Sequence, residues 1–414
     1  MSAPTSAPDA VDHELLATEW TLDALVDGEG EAGVTQRLQQ GAELAAAFAE
    51  RYRGRLAELD APQLAAAMRA LGEVFDLLGR AGAYAALRFS TDTADPERGA
   101  LLAAVQEKET EIQTALLFFE LEWAALEESR VEELLDPAND ELDFCRHHLR
   151  SARRYRHHLL SEPEEKVLSE KALTGAVAWG RLFEELISAV EVELPTAGPP
   201  NGAAPAGPAL PATESPAARV DSAGATGAQG REAVALDVAL SRLASPDRGV
   251  RKGAAGAITA ALAPGLRTRA FIYNTLLVDK SVDDRLRRYP NWLAARNLAN
   301  EVADESVQAL HEAVRGRYEL ARRWYRLKAR LLGLERLADY DRMAAVTEDE
   351  VSFPFAAGRE IVLDSYTAFS PELGAVARRL FELRHIDAPV RPAKRGGAFA
   401  AAAVPSVEPH VLLN

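Results

Sequence analysis

Apolar residues recur at helical intervals along most of this chain. Val105, Ile112, Leu116, Phe119, Trp123 and Leu126 stand three, four or seven apart. That spacing puts them on one face of a helix, with Glu107, Glu111 and Glu128 largely outside it, and predicts a core-facing stripe. Helices resume from Ser245 through Leu337, where Val307, Leu310, Val314, Tyr318, Ala321 and Tyr325 share a face. A third stripe runs through Leu373, Val376, Leu380 and Leu383 up to Arg384. The starts of these helices carry their own signals. Ser161-Glu162-Pro163-Glu164 predicts a capping box, with proline tolerated in the first turn. Ser245-Pro246 and Ser370-Pro371 predict serine caps followed by proline at the first helical position. No period of fixed length appears, so the helices are not those of a solenoid.

Two regions break the pattern. Residues 187–194 (ISAVEVEL) alternate apolar and charged positions near their end, which predicts a strand. Of the 36 residues from 195 to 230, 7 are Pro, 6 Gly and 11 Ala, too few large apolar groups to offset ordering entropy, so a disordered loop is expected. Val234 to Leu236 can resume pairing with the earlier strand, making the insert an enlarged hairpin connection. The last segment differs again: residues 391–399 (RPAKRGGAF) are basic and glycine-containing, and prolines at 405 and 409 precede a short apolar strand. The division that follows is a disordered lead over 1–12, a helical domain over 13–194, the insert over 195–230, and a second domain over 231–414.

Composition narrows the class. At 414 residues the chain is too long for one compact core and predicts two or three packed units. Its 48% hydrophobic and 27% charged residues are ordinary for a globular protein. A net charge of −16 argues against general affinity for nucleic acid or anionic membrane, so neither is expected as a partner. The single cysteine, Cys145, permits no intrachain disulfide and points to a reducing compartment. The N-terminus has no basic region followed by an apolar one, and no stretch approaches the ~20 apolar residues that span a bilayer. A cytoplasmic protein is expected.

Candidate chemistry is sparse. Zinc on a helix needs two histidines four apart with a glutamate after the first. His13-Glu14 and His311-Glu312 are half-motifs without the second histidine. The pairs His147-His148 and His157-His158 flank Arg150, Arg153, Arg154 and Arg156, whose charge repels a cation, so a solvated basic helix face is expected. Cys145 has no CxxC partner and reads as a buried or idle thiol. Asp283-Asp284 lies beside Arg285, Arg287 and Arg288, which favours ion pairing over a catalytic carboxylate pair. Gly396-Gly397, ahead of Ala398-Phe399, allows a backbone to come close, as an edge strand receiving a peptide requires; a tight turn would explain the two glycines equally well.

Residues 245–309 (SPDRGVRKGAAGAITAALAPGLRTRAFIYNTLLVDKSVDDRLRRYPNWLAARNLANEVADESVQAL) closely resemble the oligoendopeptidase F family of zinc metallopeptidases. So do Ile386-Asp387-Ala388-Pro389, Lys394-Arg395-Gly396-Gly397-Ala398-Phe399, Val404-Pro405-Ser406-Val407 and Val411-Leu412-Leu413-Asn414, in the family's order. Leu160-Ser161-Glu162-Pro163-Glu164-Glu165-Lys166 and Lys171-Ala172-Leu173 are similar to its interdomain region. The resemblance implies a mainly α, two-lobed helical peptidase fold around a channel, with a small β-sheet near the C-terminal end and an incomplete catalytic lobe. It implies cleavage of short peptides by a zinc-activated water. The zinc is held by the two histidines of H-E-x-x-H and a later glutamate, and none of these has a counterpart here. Neither catalytic nor metal-binding residues are therefore expected, nor is zinc bindable by the residues present. The motif ordinarily follows the Leu-Leu-Asn equivalent, which implies a truncated or split reading frame, inactive alone.

What the resemblance carries over is a substrate-binding strand at Gly396, Gly397, Ala398 and Phe399. The expected partners are short peptides and a second chain bearing the zinc-binding helices. Ala400 to Ala403 is blander than the family pattern, His410 stands where a tyrosine is common, and the insert replaces a shorter connection. From Phe399 onward an unpaired strand edge and apolar surface are expected, with aggregation or dependence on a partner. The alternative reading is a non-enzymatic helical peptide-binding or scaffold protein.

Overall fold

A computed structural model describes residues 12–195, 231–346 and 353–413. The expected disordered lead and insert, apart from Asp12 and Pro195, lie outside the described residues. The first part is helical: α1 (His13–Ala17), α2 (Asp23–Val26), α3 (Gly30–Tyr52), α4 (Ala61–Thr91), α5 (Pro96–Ala125), α6 (Glu128–Leu134), α7 (Arg146–Arg153), α8 (Glu162–Ala172) and α9 (Ala176–Ser188). Strand β1 (Glu191–Pro195) follows. Beyond the insert come β2 (Arg231–Ala235), α10 (Leu236–Ser241), α11 (Arg248–Leu262), α12 (Leu266–Leu286), α13 (Ala294–Ala299), α14 (Asp304–Arg315) and α15 (Tyr318–Leu331). Then come α16 (Phe355–Phe369), α17 (Pro371–Glu382), β3 (Ile386–Asp387), β4 (Phe399–Ala401) and β5 (His410–Leu412).

One large core lies among α2 to α7. Helix α4 starts at a capping box: Asp60 accepts from the Gln63 N–H at 2.9 Å, and the Gln63 side chain accepts from the Asp60 N–H at 3.0 Å. Small residues along α3 and α4, among them Ala45, Ala65, Ala81 and Ala85, are buried and let the two helices approach. The α5 stripe is in place: Val105, Ile112, Leu116, Phe119 and Trp123 are buried and Leu126 packs beside them, while Glu107, Glu111 and Glu128 are exposed. Trp123 has a polar end to satisfy, and its Nε1 donates to the Leu149 carbonyl at 2.8 Å. Arg153 is buried, not part of a solvated face. Its guanidinium donates to the carbonyls of Trp123 (2.9 Å) and Leu126 (3.0 Å), which the end of α5 leaves without partners, and to Glu128 at 2.8 Å.

The second packing unit begins before the insert. β1 pairs antiparallel with β2, Val192 opposite Val234 and Pro195 opposite Arg231. Val192 and Leu194 point inward and pack with Ala239, Ala254 and Ile258 of α10 and α11, while Glu191 and Glu193 face out. Ile187 and Ser188 still belong to α9, so the strand starts later than the alternation predicts.

Capping also departs at one place. Glu164 reaches back to the Ser161 N–H at 2.9 Å, and Ser370 accepts from the Leu373 N–H at 3.3 Å, as expected. At α11 the cap is Asp247, which accepts from the N–H groups of Gly249 (2.6 Å) and Val250 (3.2 Å). Ser245 accepts from the Asp247 N–H at 3.2 Å and shapes the approach instead. Two ion clusters fasten this half. Arg251, fully buried, donates to Asp341 at 2.9 Å and to the carbonyls of Ser245 and Pro246 at 2.7 and 2.8 Å. Arg248 adds a 3.0 Å pair to the other oxygen, and together these contacts hold the Asp341 carboxyl down at about 2 although burial opposes them. Arg287, capping the end of α12, grips Glu165 of α8 with two bonds, 2.7 and 2.8 Å, and His158 stacks on Tyr289 with ring centroids 3.9 Å apart.

The last residues return to the first unit. Phe399, Ala401 and Val407 pack against the main core, and Val404 lies so close to α4 that a Cβ on Gly79 would sit 2.6 Å from its Cγ1. Apolar exposure is therefore not concentrated from Phe399 onward. It lies on the preceding helices, where Phe271, Leu277, Leu310, Trp324, Phe369 and Val376 are all at least 49% exposed. The stripes predicted on α14, α15 and α17 exist as helix faces, but these faces are turned outward.

Candidate substrate edge

The sheet order β3-β5-β4 makes β4 an edge strand among the described residues. Its open side follows from the hydrogen bonds. Val411 and Leu413 donate to the carbonyls of His385 and Asp387, both at 2.8 Å, so these residues of the β5 segment face β3. The alternate residues His410 and Leu412 must then face β4, where they lie opposite Ala401 and Phe399. The N–H and C=O of Ala400 are left pointing at the open edge.

The four predicted substrate residues fall at and just before this strand. Gly397 has φ +83°, the left-handed region that glycine enters freely, and it turns the chain into β4. A Cβ on Gly396 would sit 2.9 Å from Asp237 Oδ2, so that residue serves close approach to α10. Gly396, Gly397 and Ala398 are exposed, while Phe399 is half-buried beneath Arg395, whose guanidinium lies 5.2 Å from the ring centroid. Arg395 also pairs with Glu184 at 2.6 Å, and its N–H donates to the Ser90 carbonyl at 2.9 Å.

Polar groups hold the sheet from below, and the sequence reading missed them. Lys394 and Asp387 form a buried ion pair at 2.6 Å, and Lys394 also donates to the Pro389 carbonyl at 2.7 Å. Burial pushes the Lys394 ammonium below its ordinary range, and Asp387 opposes that shift. His385 and His410 stack with centroids 4.0 Å apart and planes 17° from parallel, both 2% exposed. Trp20 meets His410 edge-on at 6.0 Å, and His410 Nε2 lies 3.1 Å from the Thr21 carbonyl, so that nitrogen carries the proton. Burial first, and His385 second, push His410 down to about 4; burial also lowers His385. The 18–21 segment clamps the sheet through Thr21 N–H to the Arg384 carbonyl (2.8 Å) and Ala388 N–H to the Thr18 carbonyl (2.9 Å).

The histidine stack is a poor metal site. Imidazole lone pairs lie in the ring planes, so two nearly parallel rings cannot both aim at one ion. Among the described residues no group of three or more His, Cys, Asp or Glu side chains could hold a metal. The described donor set does not fit zinc. Other candidates resolve as structure. His147 pairs with Glu301 at 2.9 Å, and His158 Nδ1 lies 2.8 Å from the Arg287 carbonyl. Asp283 pairs with Arg287 and Asp284 with Lys280. Cys145 is buried, and burial raises its thiol.

Comparison with known proteins agrees with the fold. Residues 122–191 match the family model described as Oligopeptidase F. Oligopeptidase PepF of Bacillus subtilis is 21% identical over 366 residues, 88% of this chain and 50% of that protein. Group B oligopeptidase PepB of Streptococcus agalactiae is 26% identical over 161 residues, 39% of this chain and 27% of that protein. The chain thus spans half or less of these relatives. Oligoendopeptidase-F from Enterococcus faecium superposes with a TM-score of 0.63 at 21% identity, covering 85% of this chain and 66% of that one. PZ peptidase A with inhibitor 2 gives 0.65 at 15% identity, covering 92% and 58%. No helix among the described residues is long and apolar enough to cross a membrane. Helical architecture, the sheet at residues 386–412 and these matches agree: residues 122–191 match the Oligopeptidase F family model, and the chain shares the fold of the oligoendopeptidase F structures.

Proposed function

We propose that this chain is the substrate-side portion of an oligopeptide-cleaving zinc metallopeptidase, binding short peptides by strand addition along β4. The observation that carries this reading is the open edge at Ala400, beside a left-handed Gly397 and next to exposed Ala398. A peptide laid antiparallel or parallel there gains main-chain hydrogen bonds with little dependence on its side chains, as a binder of varied oligopeptides needs. Hydrolysis needs a metal-activated water and electrostatic stabilisation of the oxyanion. Among the described residues no group of three side chains could hold a metal, so turnover is assigned to residues outside them, and the chain alone is inactive.

Two measurements test this. Fluorescence anisotropy of a labelled heptapeptide reports binding, and Ala400→Pro, which removes the outward N–H, weakens it at least 10-fold. A fluorogenic peptide incubated with the 414-residue chain and zinc stays uncleaved. Unchanged binding in Ala400→Pro refutes strand addition at β4, and turnover by the isolated chain refutes its inactivity.

A further inference from the structure

We infer that the cleft between α6, α7 and α13 binds a phosphate monoester, with its dianionic head between Arg150 and Arg154 and its apolar body on Val131, Leu135 and Leu298. The cleft has a volume of about 860 Å³ and shares no residue with β4, so the inference stands apart from the peptide edge. Helix α7 ends at Arg153, but Arg154 keeps right-handed helical backbone, φ −62° and ψ −23°. Arg150 and Arg154, four apart, therefore share one helix face. Both are exposed and line the cleft. Like charges at this spacing oppose one another, and an anion gripped by both relieves the conflict.

The charges around the cleft do not cancel. Arg150, Arg153, Arg154 and Arg156 face Glu128 and Glu132, an excess of two positive charges with His157 counted neutral, in a chain of net charge −16. Two of the arginines are occupied. Arg153 is spent on the carbonyls at the end of α5 and on Glu128, while Arg156 bonds Glu128 and the His157 ring, each at 3.1 Å. The other two are not. Arg150 makes one bond, to the Leu135 carbonyl at 3.2 Å. The Arg154 side chain has no hydrogen bond or ion pair among the described residues and acts on Glu301 only through space. Glu132 is likewise without a side-chain partner among them.

Charge and shape choose the ligand. A carboxylate brings one negative charge, whereas a phosphate monoester brings close to two at neutral pH, with three acceptor oxygens that suit two guanidinium forks. The floor selects for an organic body. Val131 and Leu135, both buried, and the half-buried Leu298 offer apolar atoms on which inorganic phosphate has nothing to place. The wall bearing Leu298 is already fixed. Glu301, just beyond α13, accepts from Ser151 at 2.7 Å and pairs with His147 at 2.9 Å, so α13 is held against α7 without a ligand.

The test titrates the 414-residue chain with phenyl phosphate, inorganic phosphate and benzoate by calorimetry. Salt is held constant, and the pH is about 7.5, above the second phosphate ionisation at about 6. Phenyl phosphate should bind saturably, one per chain, at least about 10-fold more tightly than either of the others. Arg150→Ala with Arg154→Ala should weaken it by about 10-fold or more, the scale of a lost charge-assisted hydrogen bond. Glu132→Gln removes the cleft's unpaired carboxylate and should tighten binding by about 3-fold, a gain that misfolding cannot mimic. No saturable binding of phenyl phosphate below about 10 mM overturns the inference. So does benzoate binding equally well, which would mean that the second charge is not read, or inorganic phosphate doing so, which would mean that the floor is not. Unchanged affinity in the double arginine variant overturns it as well.

Discussion

Acidification should loosen the candidate edge from beneath, through His410. Its imidazole is boxed in by Trp20, the Thr21 carbonyl and His385, with its ring held down at about 4 against an ordinary 6.5. The unfolded chain therefore binds this proton more readily than the folded one. The stability involved is fully present above about pH 6.5 and is lost as pH falls toward 4. Linkage over that window gives about 2 kcal/mol at pH 5, nearer 1 once solvent screening is allowed for. His385, lowered in the same direction, adds to the effect. The assay is amide exchange at Val411 and Leu413, whose N–H groups bond β3, compared between wild type and His410→Phe at pH 7 and 5. After correction for intrinsic rates, the wild type should lose about 5- to 30-fold protection on acidification and the variant much less. Equal losses in both would refute the reasoning, because the variant keeps a ring in place but has no proton to take up.

Three further substitutions probe the scaffold. Arg251→Met leaves the buried Asp341 with the half-exposed Arg248 and the Ala338 N–H as its remaining partners, which should cost about 3–5 kcal/mol in urea unfolding. Gly79→Ala drives a Cβ against Val404, a stiff side chain, and should cost about 1–3 kcal/mol, read as faster exchange at Leu412 than at α11 amides. Gly397→Ala places a side chain at φ +83° and should cost about 1 kcal/mol while weakening heptapeptide binding in the anisotropy assay.

Local chemistry was legible and long-range chemistry was not. The Val105-to-Trp123 stripe, the Glu164 reach-back and the Ser370 cap depend on residues within a few turns of one another, and each formed as its spacing dictates. The Ser245 cap failed for an equally local reason: Asp247, two residues on, offers a carboxylate to two N–H groups at once. Gly396-Gly397 marked the approach to an edge strand, because left-handed backbone and close packing are written in residue type. The support beneath it left no such trace. His385 and His410 stand 25 positions apart, and Trp20 meets His410 from the far end of the chain. Arg153, read as one more solvated cation, is buried because α5 happens to end beside it. The stripes on α14 and α17 were read correctly as periodicity, but periodicity says that a helix has an apolar face and not what lies against it.

The pairing of Pro195 with Arg231 fixes the two ends of the intervening 35 residues at adjacent points on one ladder. Whatever leaves the body at one of these positions must come back at the other. Closing a longer or shorter loop there changes the free energy only logarithmically with its length, by about 0.6 kcal/mol per doubling. The site is thus a natural port for engineering: a fluorescent reporter or an affinity tag grafted between these two residues should leave the rest of the molecule undisturbed.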